Sequence, residues 1–280
     1  MTATTLGGRS LATPFAARVF YATNATPMTH TFGPYTFDFA VDAPVLASDL
    51  PLVVVSHGMT GTPWGYRGLA SHLAHAGFAV LLLEHPGDSR RDPTKAGTAE
   101  ILATRPRDIR AALDAAFADP HVAPHLRAGS AAIIGHSMGG YTALAVAGGK
   151  PLALPNQTPD GIAHPVDVER DPRITRAVLL APAIPWLMAP GALAEVTIPL
   201  LVRVGEKDTD TPPFFVERIL ASLPASTPLD FATVPRAGHF AFFYPVPPAL
   251  ALLPPGQDPP GFDRAAYQSQ LYAELAAFLR

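Results

Sequence analysis

The 280-residue sequence contains no cysteine. Disulfide staples, thiolate metal sites and a thiolate nucleophile are excluded together, and the chain is indifferent to the redox state around it. It has little surplus charge: the net charge is −3, and charged residues make up only 15% of the chain. No basic run offers a footprint for nucleic acid, and no basic amphipathic face offers one for a membrane surface. An unbroken apolar segment of spanning length is also missing. Residues 177–194 carry no charge, but Pro182, Pro185, Pro190 and Gly191 interrupt them, which a lipid-facing helix tolerates poorly. Met1–Pro14 lacks the compact apolar core of an export signal. The expectation is a cytoplasmic protein with no integral membrane segment and no nucleic-acid partner.

Proline is abundant: 32 residues, most densely in "YPVPPALALLPPGQDPPGF", Tyr244–Phe262. That composition prevents helix and strand pairing and predicts an ordered or semi-rigid loop. The rest of the chain alternates. "ARVFYAT" and "YTFDFAV" have strand periodicity and predict an antiparallel pair at the start. "LPLVVVSHG", "FAVLLLEHPG", "SAAIIGHS", "ITRAVLLAPA", "IPLLVRVGEKD" and "LDFATVP" read as further strands, with helical spacing between them. In "AEILATRPRDIRAALDAAFADP", Pro106 is expected to kink the helix or to start its second part. Apolar strands separated by helices predict an α/β fold, a mostly parallel sheet covered on both faces. One domain is expected over 1–280, with variable loops around 150–172, 182–196 and 244–262. In such sheets, loops at the carboxyl ends of the strands build the site.

Gly135-His136-Ser137-Met138-Gly139 matches G-x-S-x-G between an apolar strand and a small-residue helix, the context the motif requires. A serine on so tight a turn stands clear of the sheet, beside the amides of the following helix. Its hydroxyl needs a base. Among ten histidines only His164 and His239 follow it, and His239 comes directly after a late strand, whereas His164 lies in a polar insertion. The chain order serine, acid, histidine therefore selects His239. The acid should follow the strand "IPLLVRVGEKDTDTPP". Asp208 is the first choice, Asp210 the rival and Glu206 the next. Two oxyanion donors are needed. Met138 N–H supplies one, and "VVVSHGMTGTP" offers Met59 N–H, with Thr60 next.

His57 and His136 flank these segments and are expected to organise loops. His72 and His75 are three apart on a helix, but no third ligand joins them, so no metal site is expected. His85 reads as a structural turn residue, with the pocket rim as the alternative, and His121 and His125 as surface loop residues. Thr60, Trp64, Trp186, Leu187, Phe240 and Phe243, with Met188 and Phe242, are candidates to shape a substrate pocket. No positively charged pocket residue is foreseen.

The strings "PLVVVSHGMTG", "LASHLAHAGFAVLLLEHPGDS", "RPRDIRAALDAAFADP", "IIGHSMGGYTALAVAGG", "VGEKDTDTP" and "AGHFAFF" resemble the α/β-hydrolase superfamily, and within it the branch of dienelactone-hydrolase-like proteins and platelet-activating-factor acetylhydrolases. The likeness runs from about Pro51 to Phe243. It implies a serine carboxylester hydrolase with no cofactor and a small-molecule ester substrate. On the motif positions it implies Ser137, Asp208 and His239 as triad, with Met59 and Met138 as oxyanion donors. Dienelactone hydrolases use a cysteine nucleophile, which this chain lacks. Lactone or amide hydrolysis and acyl transfer are alternatives on the same residues, as is a ligand-binding homologue without catalysis.

Overall fold

A computed structural model describes residues 4–280. Along the chain lie β1 (Thr5–Ser10), β2 (Ala17–Thr23), β3 (Met28–Phe32), β4 (Tyr35–Val41), β5 (Leu50–Ser56), α1 (Arg67–His75), β6 (Ala79–Leu83), α2 (Glu100–Ala118), β7 (Leu126–His136) and α3 (Met138–Val146). There follow β8 (Leu152–Ala153), β9 (His164–Pro165), β10 (Ile174–Leu180), β11 (Leu200–Gly205), α4 (Pro213–Leu220), β12 (Leu229–Val234) and α5 (Arg264–Leu279). One sheet runs in the order β12-β11-β10-β7-β5-β6-β2-β1-β4-β3. The six strands from β12 to β6 are parallel. Helices cover both faces, and the architecture is the α/β-hydrolase fold.

The central strands contain almost no polar residue because neither face meets water. One apolar layer joins the sheet to α2, α3 and α4 through Ile101, Ile109, Leu144 and Ile219. The other joins it to α1 and α5 through Leu69, Leu73, Leu271 and Leu275. All nine residues of α3 are buried, as expected of a helix apolar on every side.

Antiparallel strands open the chain as foreseen, but the two expected segments do not pair with each other. β2 pairs with β1 and β6, and β4 with β3 and, in parallel, with β1. β1 gives little strand signal in the sequence, because "TLGGRS" holds two glycines and only one β-branched residue, Thr5. Its glycines make room for rings instead: a Cβ on Gly7 would lie 2.6 Å from Tyr21, and one on Gly8 2.7 Å from Phe39.

Pro106 neither ends nor splits α2. It cannot donate to the carbonyl four residues back, Leu102. The Tyr141 hydroxyl of α3 donates to that oxygen at 2.6 Å and takes the missing amide's place. Of the expected variable loops, 182–196 is packed into the core through Leu187, Leu193 and Val196. Among the described residues no helix is long and apolar enough to cross a membrane.

Candidate functional site

Ser137 follows the last residue of β7, between the carboxyl ends of β5 and β10, whose Ser56 and Leu180 are in register with Gly135 and His136. Its backbone is left-handed, φ 54° and ψ −120°, a costly conformation for a residue with a Cβ. Three backbone bonds hold it: Ser137 N–H donates to Leu180 O (3.0 Å), and its carbonyl accepts from Gly140 (2.8 Å) and Ala183 (2.9 Å). The two motif glycines answer to close approach. A Cβ at Gly135 would lie 2.0 Å from Gly139 O, and one at Gly139 2.0 Å from Ser56 O. Strand and helix pack backbone to backbone here, so the motif is a packing requirement as well as a turn.

Asp208 and His239 come from the turns after β11 and β12. His239 Nδ1–H donates to Asp208 Oδ2 at 2.9 Å. Asp208 Oδ1 accepts from the amides of Asp210 (2.9 Å) and Thr211 (2.8 Å), and Thr211 Oγ1 lies 2.7 Å from Oδ2. Burial raises the Asp208 carboxyl, but the His239 hydrogen bond and charge and the Thr211 donors outweigh it and hold it below the ordinary carboxylate value. Asp210 lines the cleft and, among the described residues, makes no hydrogen bond to His239. Glu206 accepts from the Arg236 amide (2.7 Å) and is turned away. His164 pairs with Asp160 in the exposed 150–172 insertion.

Among the described residues neither Ser137 Oγ nor His239 Nε2 makes a hydrogen bond, yet both line one cleft of about 700 Å³. Catalytic hydrogen bonds are commonly loose until substrate is present. The turn after β5 borders the same cleft. A Cβ on Gly58 would lie 3.1 Å from Ser137 Cβ, which sets the closeness of the two segments. Thr60 N–H donates to Asp88 Oδ1 at 3.0 Å and is thereby removed as an oxyanion donor. Met59 N–H has no acceptor among the described residues. Met138 N–H is the first amide of α3.

Met59, Thr60, Phe240 and Phe243 line the cleft. Five expected pocket residues do not. Trp64 stacks on Phe32 at 3.9 Å. Trp186 donates its indole N–H to Gln157 Oε1 (2.7 Å) and stands edge-on to Tyr141. Leu187 is fully buried in the α3 layer. Phe242 is also core, and Met188 is exposed away from the cleft. Apolar residues near a strand end divide between core and cleft by the direction of one turn, which sequence does not record. The cleft adds residues that were not foreseen: Tyr35, Tyr66, Arg90, and Leu250 and Leu253 from the proline-rich loop. Arg90 corrects the expectation of a cleft without positive charge.

His57 and His136 bridge loops. His57 Nδ1–H donates to Gly58 O (2.8 Å), and its Nε2 accepts from the His85 amide (3.1 Å). His136 Nε2–H donates to His239 O (3.0 Å), and its Nδ1 accepts from the Tyr66 hydroxyl (2.8 Å). Burial, then the Arg105 charge, lowers His57 to about 3. Burial, then the neighbouring His239, lowers His136 to about 3. His85 is a buried structural residue, as foreseen. His121 is not a free surface residue, since its Nε2 is 2.9 Å from Ala43 O and 3.2 Å from the Tyr21 hydroxyl.

A family described as "Serine aminopeptidase, S33" matches residues 48–158, less than half the chain. The chain is 27% identical over 192 residues to "Cutinase est1" of Thermobifida alba, a match covering 68% of this chain and 53% of the relative. The chain thus spans about half the length of the curated relative it matches. Neither match lies in the dienelactone-hydrolase or acetylhydrolase branch. With the fold, they support the α/β-hydrolase superfamily and a serine hydrolase in general.

Proposed function

We propose that this chain is a serine carboxylester hydrolase acting on short- to medium-chain acyl or aryl esters. One juxtaposition carries the reading: Ser137, on its strained turn, shares an apolar cleft with His239, whose far nitrogen is held by Asp208. His239 takes the proton from Ser137 Oγ as the oxygen attacks the ester carbonyl. Asp208 holds the tautomer and stabilises the imidazolium. The amides of Met59 and Met138 receive the oxyanion. Alcohol leaves with the proton from His239, and water activated by the same ring then releases the acid from Ser137. Phe240, Phe243, Leu250 and Leu253 give the acyl or aryl group an apolar wall.

Purified protein is expected to hydrolyse p-nitrophenyl acetate and butyrate. Ser137→Ala should lose about 10⁴-fold or more of that rate. Activity retained in this variant would reject the assignment. The description of the matched family favours amide hydrolysis as a second reading. Matched esters and anilides of one acyl group separate the two by their kcat/KM ratio.

A further inference from the structure

A fully buried ion pair, Arg105 with Asp88, lies beneath the proposed site rather than in it. Arg105, in α2, is fully buried, and four partners surround its guanidinium. Its Nη1 donates to Asp88 Oδ2 at 2.7 Å, its Nε to Thr142 Oγ1 at 3.0 Å, and its Nη2 to Ser56 Oγ at 3.2 Å and to the His57 carbonyl. A buried cation is costly unless it is paired and its donors are used, and here each nitrogen has an acceptor. Replacing such a group by apolar side chains is often neutral for stability, so stability alone does not account for it.

The partners share a direction. Asp88 accepts the Thr60 amide through its other oxygen, and Thr60 follows Met59. The His57 carbonyl and Ser56 Oγ lie on the same turn, on the other side of Met59. Thr142 donates its hydroxyl to Met138 O at 3.2 Å. Arg105 therefore bonds directly to the backbone of the turn that carries Met59 and, through the Thr142 side chain, to the first turn of the helix that carries Met138. Ser56 is further tied through His85 Nε2 (2.9 Å), and His85 Nδ1 to Asp108 Oδ2 (2.9 Å), one helical turn beyond Arg105. Asp108 and Arg105 thus grip the β5 turn from one helix.

We propose that Arg105 is a positioning residue for the oxyanion hole: it sets the separation and direction of the Met59 and Met138 amides through Asp88, the His57 carbonyl and Thr142. This inference rests on the reading of the site as a serine esterase. An arginine suits the task because its planar fork fixes several acceptors at defined angles, which a lysine's single ammonium does not. Donors aimed at developing charge act in the transition state more than in the ground state. The signature of the role is therefore a fall in kcat with little change in KM.

The test uses Arg105→Lys, which keeps the charge, and Thr142→Val, which removes only the link to α3. Active sites are counted by fluorophosphonate labelling of Ser137, so that unfolded protein does not enter the rate. In wild type, p-nitrophenyl butyrate turnover and inhibition by phenylboronic acid, which binds as a tetrahedral adduct, are measured first. Per labelled site, Arg105→Lys should lose about 10²-fold in kcat, the scale of losing one oxyanion donor, with boronate affinity falling in parallel and KM changing less than about 3-fold. Thr142→Val should lose about 5- to 10-fold with the same split, at the size of one disturbed hydrogen bond. If Arg105→Lys yields no folded protein, Thr142→Val decides alone. Wild-type kcat and boronate affinity per labelled site in a folded variant would overturn the proposal, as would a change confined to KM. A wild type without ester turnover or Ser137 labelling would instead overturn the esterase reading, so the two failures are distinguishable.

Discussion

A base beside a serine must accept a proton near the working pH. His136 precedes Ser137, and His57 and His85 lie in the turns after β5 and β6, but burial holds His57 and His136 down to about 3 and His85 well below its ordinary value. They remain neutral and serve as fixed donors and acceptors. A histidine lowered from 6.5 in the folded chain binds no proton between about 6.5 and 3, while the unfolded chain does. Stability contributed by these rings is therefore complete above pH 6.5 and is lost as pH falls toward 3. Asp108 acts in the opposite sense. Burial raises it to about 7, so the folded chain keeps its proton where the unfolded one releases it, and it offsets one histidine. The urea midpoint is expected to be lower at pH 5 than at pH 7; an equal or higher midpoint at pH 5 would contradict this balance. The choice of acid is tested at the same scale. Asp208→Asn should lower kcat by about 10⁴-fold through the wrong imidazole tautomer, and Asp210→Asn far less, as read by p-nitrophenyl ester kinetics.

Helix α2 shows how an element keeps its shape against a local rule. Its interior proline breaks a backbone bond, and a neighbouring helix repairs it through Tyr141, which is wholly buried. Tyr141→Phe should cost about 1–3 kcal/mol, because the Leu102 carbonyl is left unsatisfied in the core. In a Pro106→Ala background the restored amide can serve that carbonyl, and the same change should cost much less. A double-mutant cycle by chemical denaturation measures this coupling, and strictly additive effects would disprove the repair. The proline also explains why sequence alone suggested a kink: the compensating hydroxyl lies 39 positions away on another helix.

The proline-rich loop forms the outer wall of the cleft and is tied to the rest of the molecule by two arginines. Arg264, at the start of α5 and only 5% exposed, donates to the carbonyls of Phe243 (3.0 Å), Pro255 (2.7 Å) and Gln257 (3.1 Å) and pairs with Asp258 (2.8 Å). Arg67 of α1 donates to Pro245 O at 2.8 Å. Wall and His239 segment are thus fixed to one helix end. Arg264→Gln should expose residues 246–258 to chymotrypsin. It should also broaden the acyl-chain profile, raising the relative kcat/KM for octanoate over butyrate. An unchanged profile with unchanged proteolysis would show that the wall stands without this clamp.

The alternation of strands and helices from β4 onward, apart from the short β8 and β9, the parallel centre of the sheet and the place of Ser137 on its strand-to-helix turn were legible in the sequence. Apolar runs with helices between them have one economical arrangement, and the glycines of the elbow are demanded by contacts within a few residues. The pairing of the first strands was not legible, because β1 is chosen by the rings that cover its glycines. Nor was the placement of Trp64, Trp186 and Leu187 in packed layers rather than in the cleft, or the charge that Arg90 brings to the rim. Arg105 stood in the sequence only as part of a motif, and its four partners come from the end of β5 and the turn that follows it, the turn after β6 and α3. Local rules act over a turn or a strand, and they determined the elements. Which side chains from distant elements share one buried space is settled only when the whole sheet is assembled, because hydrogen bonds and packing act across space without regard to chain distance.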